Sequence, residues 1–457
     1  MDYRIHTDGP RCYIRTFRKM IETNLQREGF IGLVGGTREP KADVLGKVQS
    51  YKLLLQDAAR IVLCAQNSVE WVCIFCACVL EEKELFILDA HIDRKKLHDL
   101  AASVQADLVI TDEEADPGEP GFCSIRELPF RTWIAETAVG TGKVILYTTG
   151  TTGSPKGVEV MLPGIVTNLV DFQKLLRLER CENALLTTAF SHAMGLISLL
   201  TALCYGGSIF ITQNEMQILY GIMHEDAQFM TIPPVFMNML KSRLDYVEKL
   251  KAYRVIITGG AGMNKETYLY YQEQNINLIN GYGMTEAMTV VALTVPSQKP
   301  WEMTLLDWCE ARLSDEGELL IKGPCVCCRY YGGEAIADED MWYHTGDVAR
   351  LNGRTLEILH RLDSVYVMKT GFKVNLDDLE RRIIGIEEVA ECRSFVRRSG
   401  NAENLCVEVV LQPGYQDRAQ AAVKIRNAAQ YFEHIADIVF TEQVTMKGGK
   451  KSHYESD

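Results

Sequence analysis

No stretch of this sequence is apolar for long enough to cross a bilayer as a helix. The greasiest run, WVCIFCACVL (71–80), is ten residues, about half of the roughly 20 that a span needs. The opening residues, MDYRIHTDGPRCYIRTFRKM, lack an apolar core of signal-peptide length, so a cytoplasmic protein with no membrane span is expected. Positive charge is in short supply: 48 Lys and Arg stand against 61 Asp and Glu, a net charge of −13. That balance argues against a nucleic-acid binder, while leaving room for a local basic patch around a phosphate-bearing ligand. Repeats, heptads and low-complexity tracts are missing. So is any Gly-Lys-Ser/Thr triplet, which excludes a Walker loop. Cysteine is plentiful, at 14 residues, but without a metal site's spacing. Cys73, Cys76 and Cys78 fall in an apolar run that reads as a helix, and Cys325, Cys327 and Cys328 have no second Cys or His pair in register. They read as buried free thiols in a reducing compartment.

What is present suits a sizeable globular enzyme. The chain has 457 residues, 47% hydrophobic and 24% charged, enough for two to four domains or subdomains. Strand and helix signals alternate over the first three-quarters. RIVLC (60–64) reads as a strand, SVEWVCIFCACVLEEK as a helix capped by Ser68, and LFILD (85–89) as a strand. DRKKLHDLAASV follows as a helix and ADLVITD as a strand. KVILYTT, ALLTTAF, SIFIT and YRVIITGG continue the strands, with VFMNMLKSRL helical. Short apolar strands alternating with helices imply an α/β fold of mostly parallel sheets covered by helices. The acidic segment DEEADPGEPG (112–121) reads as a loop between subdomains. After about residue 360 the pattern changes. AECRSFV and LCVEVVL, a helical AQAAVKIRNAAQYF and a strand-like IADIVF suggest a small α+β domain.

The segment YTTGTTGSPKG (147–157) follows the strand KVIL directly. Its glycines let the backbone curl until amide N–H groups face an anion. Thr148, Thr149, Thr151, Thr152 and Ser154 supply hydroxyls and Lys156 a positive charge, a set suited to a triphosphate. The string resembles the signature of the adenylate-forming superfamily, which includes acyl-CoA synthetases, adenylation domains of peptide synthetases and luciferases. It differs only in Thr149 where the pattern has Ser. Further motifs appear in family order, so the resemblance covers residues 140–457 well, whereas the first 60 residues match by position alone.

The resemblance implies a large N-terminal domain over 1–360 that binds ATP and acid, a hinge at 361–363 and a small mobile domain over 364–457. In the glycine–threonine loop it implies nucleotide contacts from Thr148, Thr149, Gly150, Thr151, Thr152, Gly153 and Lys156. TGGAGM (258–263) resembles a segment whose backbone walls the adenine, here Gly259, Gly260 and Ala261. NGYGMTEA (280–287) resembles the family's Y-G-x-T-E motif: Asn280, Gly281 and Gly283 line the nucleotide, Tyr282 packs on adenine, Thr285 contacts the α-phosphate and Glu286 helps hold Mg²⁺. An aromatic face suits a purine, and a carboxylate suits a hard cation that bridges phosphates. WYHTGD (342–347) would place Asp347 on the ribose hydroxyls. In HRLDSVYVMKTGFKVNLDDLE (360–380), Arg361 would also contact ribose and Asp363 would be the pivot. There Gly371 falls one residue later than in the pattern and His360 replaces a Gly, so Gly371 and Lys373 carry no firm role. VTMKGGKKSHYE (444–455) resembles the terminal lysine motif and makes Lys450 the catalytic lysine, with Met446 at the usual Thr position, the usual Pro missing and Lys447 and Lys451 as neighbours.

FSHAMG (190–195) resembles a segment of acyl- and aryl-CoA ligases in which His192 lines or gates the acid pocket. Relatives that take α-amino acids place an Asp in this stretch, and none occurs between Leu185 and Gly207. An unpaired buried ammonium would cost several kcal/mol, which favours a plain carboxylic acid. The apolar segments MTIPPVFM and ITGGAGM suit an aryl or aliphatic tail. The expected activity is thus activation of a carboxylic acid with ATP and Mg²⁺, then transfer of the acyl group to a thiol, CoA first among them. A phosphopantetheine on an acyl carrier protein, luciferase-like oxidation of the adenylate, and a non-catalytic nucleotide binder remain open alternatives.

Overall fold

The computed structural model describes residues 10–113, 121–125, 143–148, 156–177, 182–260, 263, 265–295, 299, 301–327, 329–333, 335–367, 373–399, 402–412, 414–430, 433–447, 450–451 and 454–456. Two sheets and their covering helices carry most of the chain. One sheet has six strands in the order Phe122–Ser124, Leu108–Thr111, Arg60–Cys64, Glu84–Ile87, Lys143–Thr148 and Lys156–Met161. All neighbours are parallel except the last pair. Residues 61–64 and 85–87 are buried, which is why their sequences read as unbroken apolar runs instead of alternating ones.

The other sheet has thirteen strands. Its parallel part runs from Phe30–Leu33 through Ile209–Ile211, Ala184–Leu186, Phe229–Thr231 and Val255–Gly259 to Leu278–Met284. From there it continues antiparallel through Thr289–Leu293, Met303–Leu305, Thr355–Arg361, Tyr343–Asn352, Glu318–Lys322 and Glu310–Leu313.

The helix Val69–Leu80 is buried at every position but Glu70. Ser68 caps it as expected, its side chain accepting from the Trp71 N–H. With the helices Leu162–Leu176 and Ala193–Tyr205 it fills one hydrophobic cluster that reaches both sheets. The cysteines follow the same logic. Cys73, Cys76, Cys78, Cys325 and Cys327 are buried free thiols, and burial raises the pKa of Cys73, Cys76, Cys78 and Cys325 well above the ordinary thiol value.

One expectation is overturned. The acidic segment 112–121 does not separate subdomains, because it joins Leu108–Thr111 to Phe122–Ser124, which are neighbours in a single sheet. An acidic Pro/Gly composition is as compatible with a connection inside a domain as with one between domains.

The C-terminal residues build their own core. Tyr366, Leu376, Leu379, Ile383, Val396, Val407, Ile425 and Ile435 form a separate cluster. It lies between a sheet ordered Ile435–Phe440, Ala402–Leu411, Val389–Ser399 and Tyr454–Ser456 and the helices Leu376–Ile384 and Arg418–Ala428. Among the described residues no helix is long and apolar enough to cross a membrane.

Candidate active site

The carboxyl ends of parallel strands, where ligands of open α/β sheets commonly bind, carry Thr148, Gly259 and the segment Asn280–Met284, whereas Lys156, Asp347 and Arg361 come from antiparallel strands. Lys143–Thr148 and Lys156–Met161 pair antiparallel, with Thr148 opposite Lys156. Thr149, Gly150, Thr151, Thr152 and Gly153 lie outside the described residues, as do Ala261, Gly371 and the side chains of Thr148, Asp363 and Lys373. Lys156 is described, and its Nζ stands 5.0 Å from the ring centroid of Tyr330.

Gly259 ends its strand in register with Gly281. A Cβ at Gly259 would come within 2.5 Å of the Gly281 carbonyl oxygen, so only glycine allows the two strand ends to close into a flat wall. Gly283 is tighter still, with the Thr289 carbonyl oxygen 1.4 Å from where its Cβ would be. That close crossing turns the chain into the short 3₁₀ helix Thr285–Ala287. Ala287 is buried, and the Cys327 N–H bonds the Glu286 carbonyl at 2.7 Å. The turn is thus pinned while Thr285 and Glu286 remain partly exposed. Asn280, one position before Gly281, holds its strand to the neighbouring segment through the Thr294 N–H, which donates to the Asn280 carbonyl at 2.9 Å.

Tyr282, Asp347 and Arg361 converge although no motif contains more than one of them. The Tyr282 hydroxyl donates to Asp347 Oδ2 at 2.6 Å, and Arg361 Nη1 meets Asp347 Oδ1 at 3.2 Å. Asp347 and Arg361 are opposite each other on paired strands. Arg361 also donates to the Thr345 carbonyl at 3.0 Å. Burial, then the adjacent Asp347 carboxylate, raises the Tyr282 phenol well above its ordinary value and keeps it a donor.

Glu286 meets Tyr330, whose hydroxyl donates to Oε1 at 3.3 Å. Burial and the Glu286 charge push the Tyr330 phenol up to about 12. Among the described residues no group of three or more His, Cys, Asp or Glu could hold a metal ion. One or two carboxylates are all that a Mg²⁺ bound mainly through phosphate oxygens requires of a protein, so Glu286 fits a cation that arrives with a nucleotide.

His192 precedes the helix Ala193–Tyr205. Its Nε2 lies 3.7 Å from Asp89 Oδ2, and its side chain is 63% exposed. Two residues on, Met194 Cε is 3.4 Å from the Cβ position of Gly259 and 3.5 Å from that of Gly260. The start of this helix therefore faces the same glycine strand end. Lys450 falls on a two-residue strand paired with Met446–Lys447, and its side chain lies outside the described residues.

Two site neighbours escaped the sequence reading. Asp89 sits about a hundred residues before His192, outside the 185–207 window searched for an acidic side chain. Tyr330 belongs to a stretch, CCRYYGGE, with no spacing that marks it. A separate cavity of about 710 Å³, lined by Asp171, Lys174, Arg254, Asn277 and Asp307 among others, opens at the starts of the 255–259 and 278–284 strands, away from this site. Its charges are engaged locally: Lys174 pairs with Asp307, Arg254 with Glu182, and Asp171 accepts from the Trp308 N–H.

Residues 51–331 match the family model described as AMP-binding enzyme. Among curated relatives, 2-succinylbenzoate–CoA ligase of Listeria innocua is 23% identical over 84% of this chain and 81% of its own length. 4-Coumarate–CoA ligase 1 of Arabidopsis thaliana is 25% identical over 73% of this chain and 67% of its own. The solved structure of O-succinylbenzoate coenzyme A synthetase from Bacillus subtilis in complex with ATP and magnesium ion superposes with a TM-score of 0.78 at 18% identity, covering 95% of this chain and 98% of that one.

Proposed function

The chain belongs to the AMP-binding enzyme family, and we propose that it works as an ATP-dependent, AMP-forming acid–thiol ligase. The carboxylate of the acid attacks the α-phosphorus of ATP and pyrophosphate leaves. A thiol then attacks the acyl carbon of the resulting acyl-adenylate, and AMP leaves. We assign the thiol to CoA. The curated relatives above carry CoA-ligase names, which supports that assignment.

The observation that carries this reading is the convergence of Lys156, Glu286, Tyr282, Asp347 and Arg361 around the strand ends, from four separate motifs. Two anions must meet in the first step, so charge neutralisation is the main demand. Lys156 and the threonine loop serve the triphosphate, Asp347 and Arg361 the ribose, and the ring of Tyr282 the base. Glu286 serves a Mg²⁺ that, when bound, offsets phosphate charge. Gly259, Gly260 and Ala261 leave room for a flat purine. His192 and Met194 border the acid. Lys450, from the small domain, neutralises the transition state of the first step. Rotation about Asp363 then withdraws Lys450 and admits the thiol.

Acid-dependent ATP–pyrophosphate exchange across a panel of aryl, fatty and amino acids tests the first half-reaction. Thioester formation with free CoA as sole thiol tests the second. Exchange without a CoA thioester, but with transfer to a phosphopantetheine carrier protein, would move the acceptor from CoA to the carrier. No exchange with any acid would sink the ligase reading.

A further inference from the structure

Tyr330 stands where the two sheets meet. Its backbone forms a bridge with Val158, and the next residue's N–H, that of Tyr331, bonds the Gly157 carbonyl at 2.7 Å. The ring of Tyr331 packs edge-on against Phe86 at 4.9 Å. These contacts fasten the segment to the strand that begins at Lys156, in the six-stranded sheet. From that anchorage the Tyr330 hydroxyl reaches across to Glu286 Oε1, which belongs to the thirteen-stranded sheet's turn, at 3.3 Å. The Lys156 Nζ lies 5.0 Å from the centroid of the same ring. One side chain therefore touches both the carboxylate assigned to the metal and the lysine assigned to the phosphates.

We infer that Tyr330 is a positioning residue for the magnesium–triphosphate end of the site, orienting Glu286 through its hydroxyl and seating Lys156 on its ring face. The inference rests on the nucleotide reading proposed above. Glu286 by itself is a flexible chain at a partly exposed turn. A carboxylate free to rotate loses entropy when it engages a cation, and a donor fixed by two backbone contacts removes part of that cost in advance. A phenol suits this task because it donates one proton without adding charge, leaving the carboxylate anionic for the cation. A cation over an aromatic face is held loosely, by electrostatic attraction to the ring, so Lys156 stays near the loop yet remains able to leave the ring for a phosphate.

The test is the binding of ATP measured by calorimetry over a range of Mg²⁺ concentrations, with metal-free AMP as the reference ligand. Tyr330→Phe keeps the ring and removes the hydroxyl. It should raise the Mg²⁺ concentration for half-maximal ATP binding roughly tenfold, the scale of one hydrogen bond to a charged group, and leave AMP affinity and melting temperature unchanged. Glu286→Gln, alone and combined with Tyr330→Phe, closes a cycle. If the hydroxyl acts through Glu286, adding Tyr330→Phe to Glu286→Gln shifts the Mg²⁺ dependence no further. An unchanged Mg²⁺ dependence in Tyr330→Phe, equal losses for ATP and AMP, or additive shifts in the double variant would each overturn the positioning role and leave the ligase reading standing. A wild-type protein that binds neither ATP nor AMP would overturn both.

Discussion

The Tyr282 hydroxyl and the Asp347 carboxylate, 65 residues apart in the chain, lie 2.6 Å from each other. Arg361 holds the second carboxylate oxygen. Both oxygens of the aspartate assigned to the ribose thus accept a protein hydrogen bond, and each retains a lone pair for a ribose hydroxyl. Asp347→Ala should weaken ATP and AMP binding by about tenfold or more, as expected for a lost charge-assisted bond. It should also erase the preference for ATP over 2′-deoxy-ATP. Titration calorimetry with both nucleotides reads this, and a retained preference would remove Asp347 from the ribose.

Lys450 sits on a two-residue strand paired with Met446–Lys447, remote in sequence from every other site residue. Its replacement by Ala should slow acid adenylation by roughly two to three orders of magnitude, the scale for one transition-state donor. Thioester formation from a pre-made acyl-adenylate should survive. Equal losses in both half-reactions would shift the assignment to Lys447 or Lys451.

Gly259 has its neighbour's carbonyl oxygen 2.5 Å from where a Cβ would stand. The obstacle is backbone and cannot rotate aside. Gly259→Ala should cost roughly 1–3 kcal/mol of stability, the range for overpacking, and should lower AMP affinity by spreading the wall of the adenine site. Denaturant unfolding and AMP titration check the two effects separately. A variant as stable as the wild type would mean that the two strand ends are less tightly closed than they stand here.

Burial pushes Cys64, Cys78, Cys123 and Cys309 from the ordinary 9.0 up to about 12. In the unfolded chain these thiols ionise near 9.0, so above that pH the unfolded state has lost protons that the folded state keeps. Stability is therefore complete below pH 9 and falls as pH rises from 9 toward 12, by up to ~1.4 kcal/mol per pH unit for each such thiol. Urea unfolding at pH 8, 9 and 10 should show the decline. At pH 8 the eleven cysteines that are buried among the described residues should also resist iodoacetamide in the native protein and react once it is unfolded. Rapid native alkylation of Cys76 would contradict the burial.

Much of this was legible in the linear chain. Residues 60–64 form a strand as read, and Ser68 caps its helix, because a fully buried run and an N-cap hydroxyl are local signals. The strand expected over 184–190 ends at Leu186. Beyond it the Asn67 side chain takes over, accepting the Phe190 N–H at 2.8 Å and donating to the Thr188 carbonyl at 3.0 Å. A partner 123 residues away leaves no trace in local pattern. The acidic segment misled for a related reason, since its composition does not say which strands it joins.

Residue type and order along the chain determined the chemistry that we propose: a glycine–threonine segment for an anion, a carboxylate for a cation, an aspartate for a diol, a lysine near the end. Those properties are carried by short contiguous strings and need no partner. Only the tertiary structure decided that Tyr330 stands against Glu286 and Lys156, that Asp89 faces His192, and that Tyr282 and Arg361 share one carboxylate. The Tyr330 contacts bridge the two sheets, while Tyr282, Asp347 and Arg361 come from strands of one sheet that are far apart in sequence, so the spacing between these residues is set by packing instead of by distance along the chain.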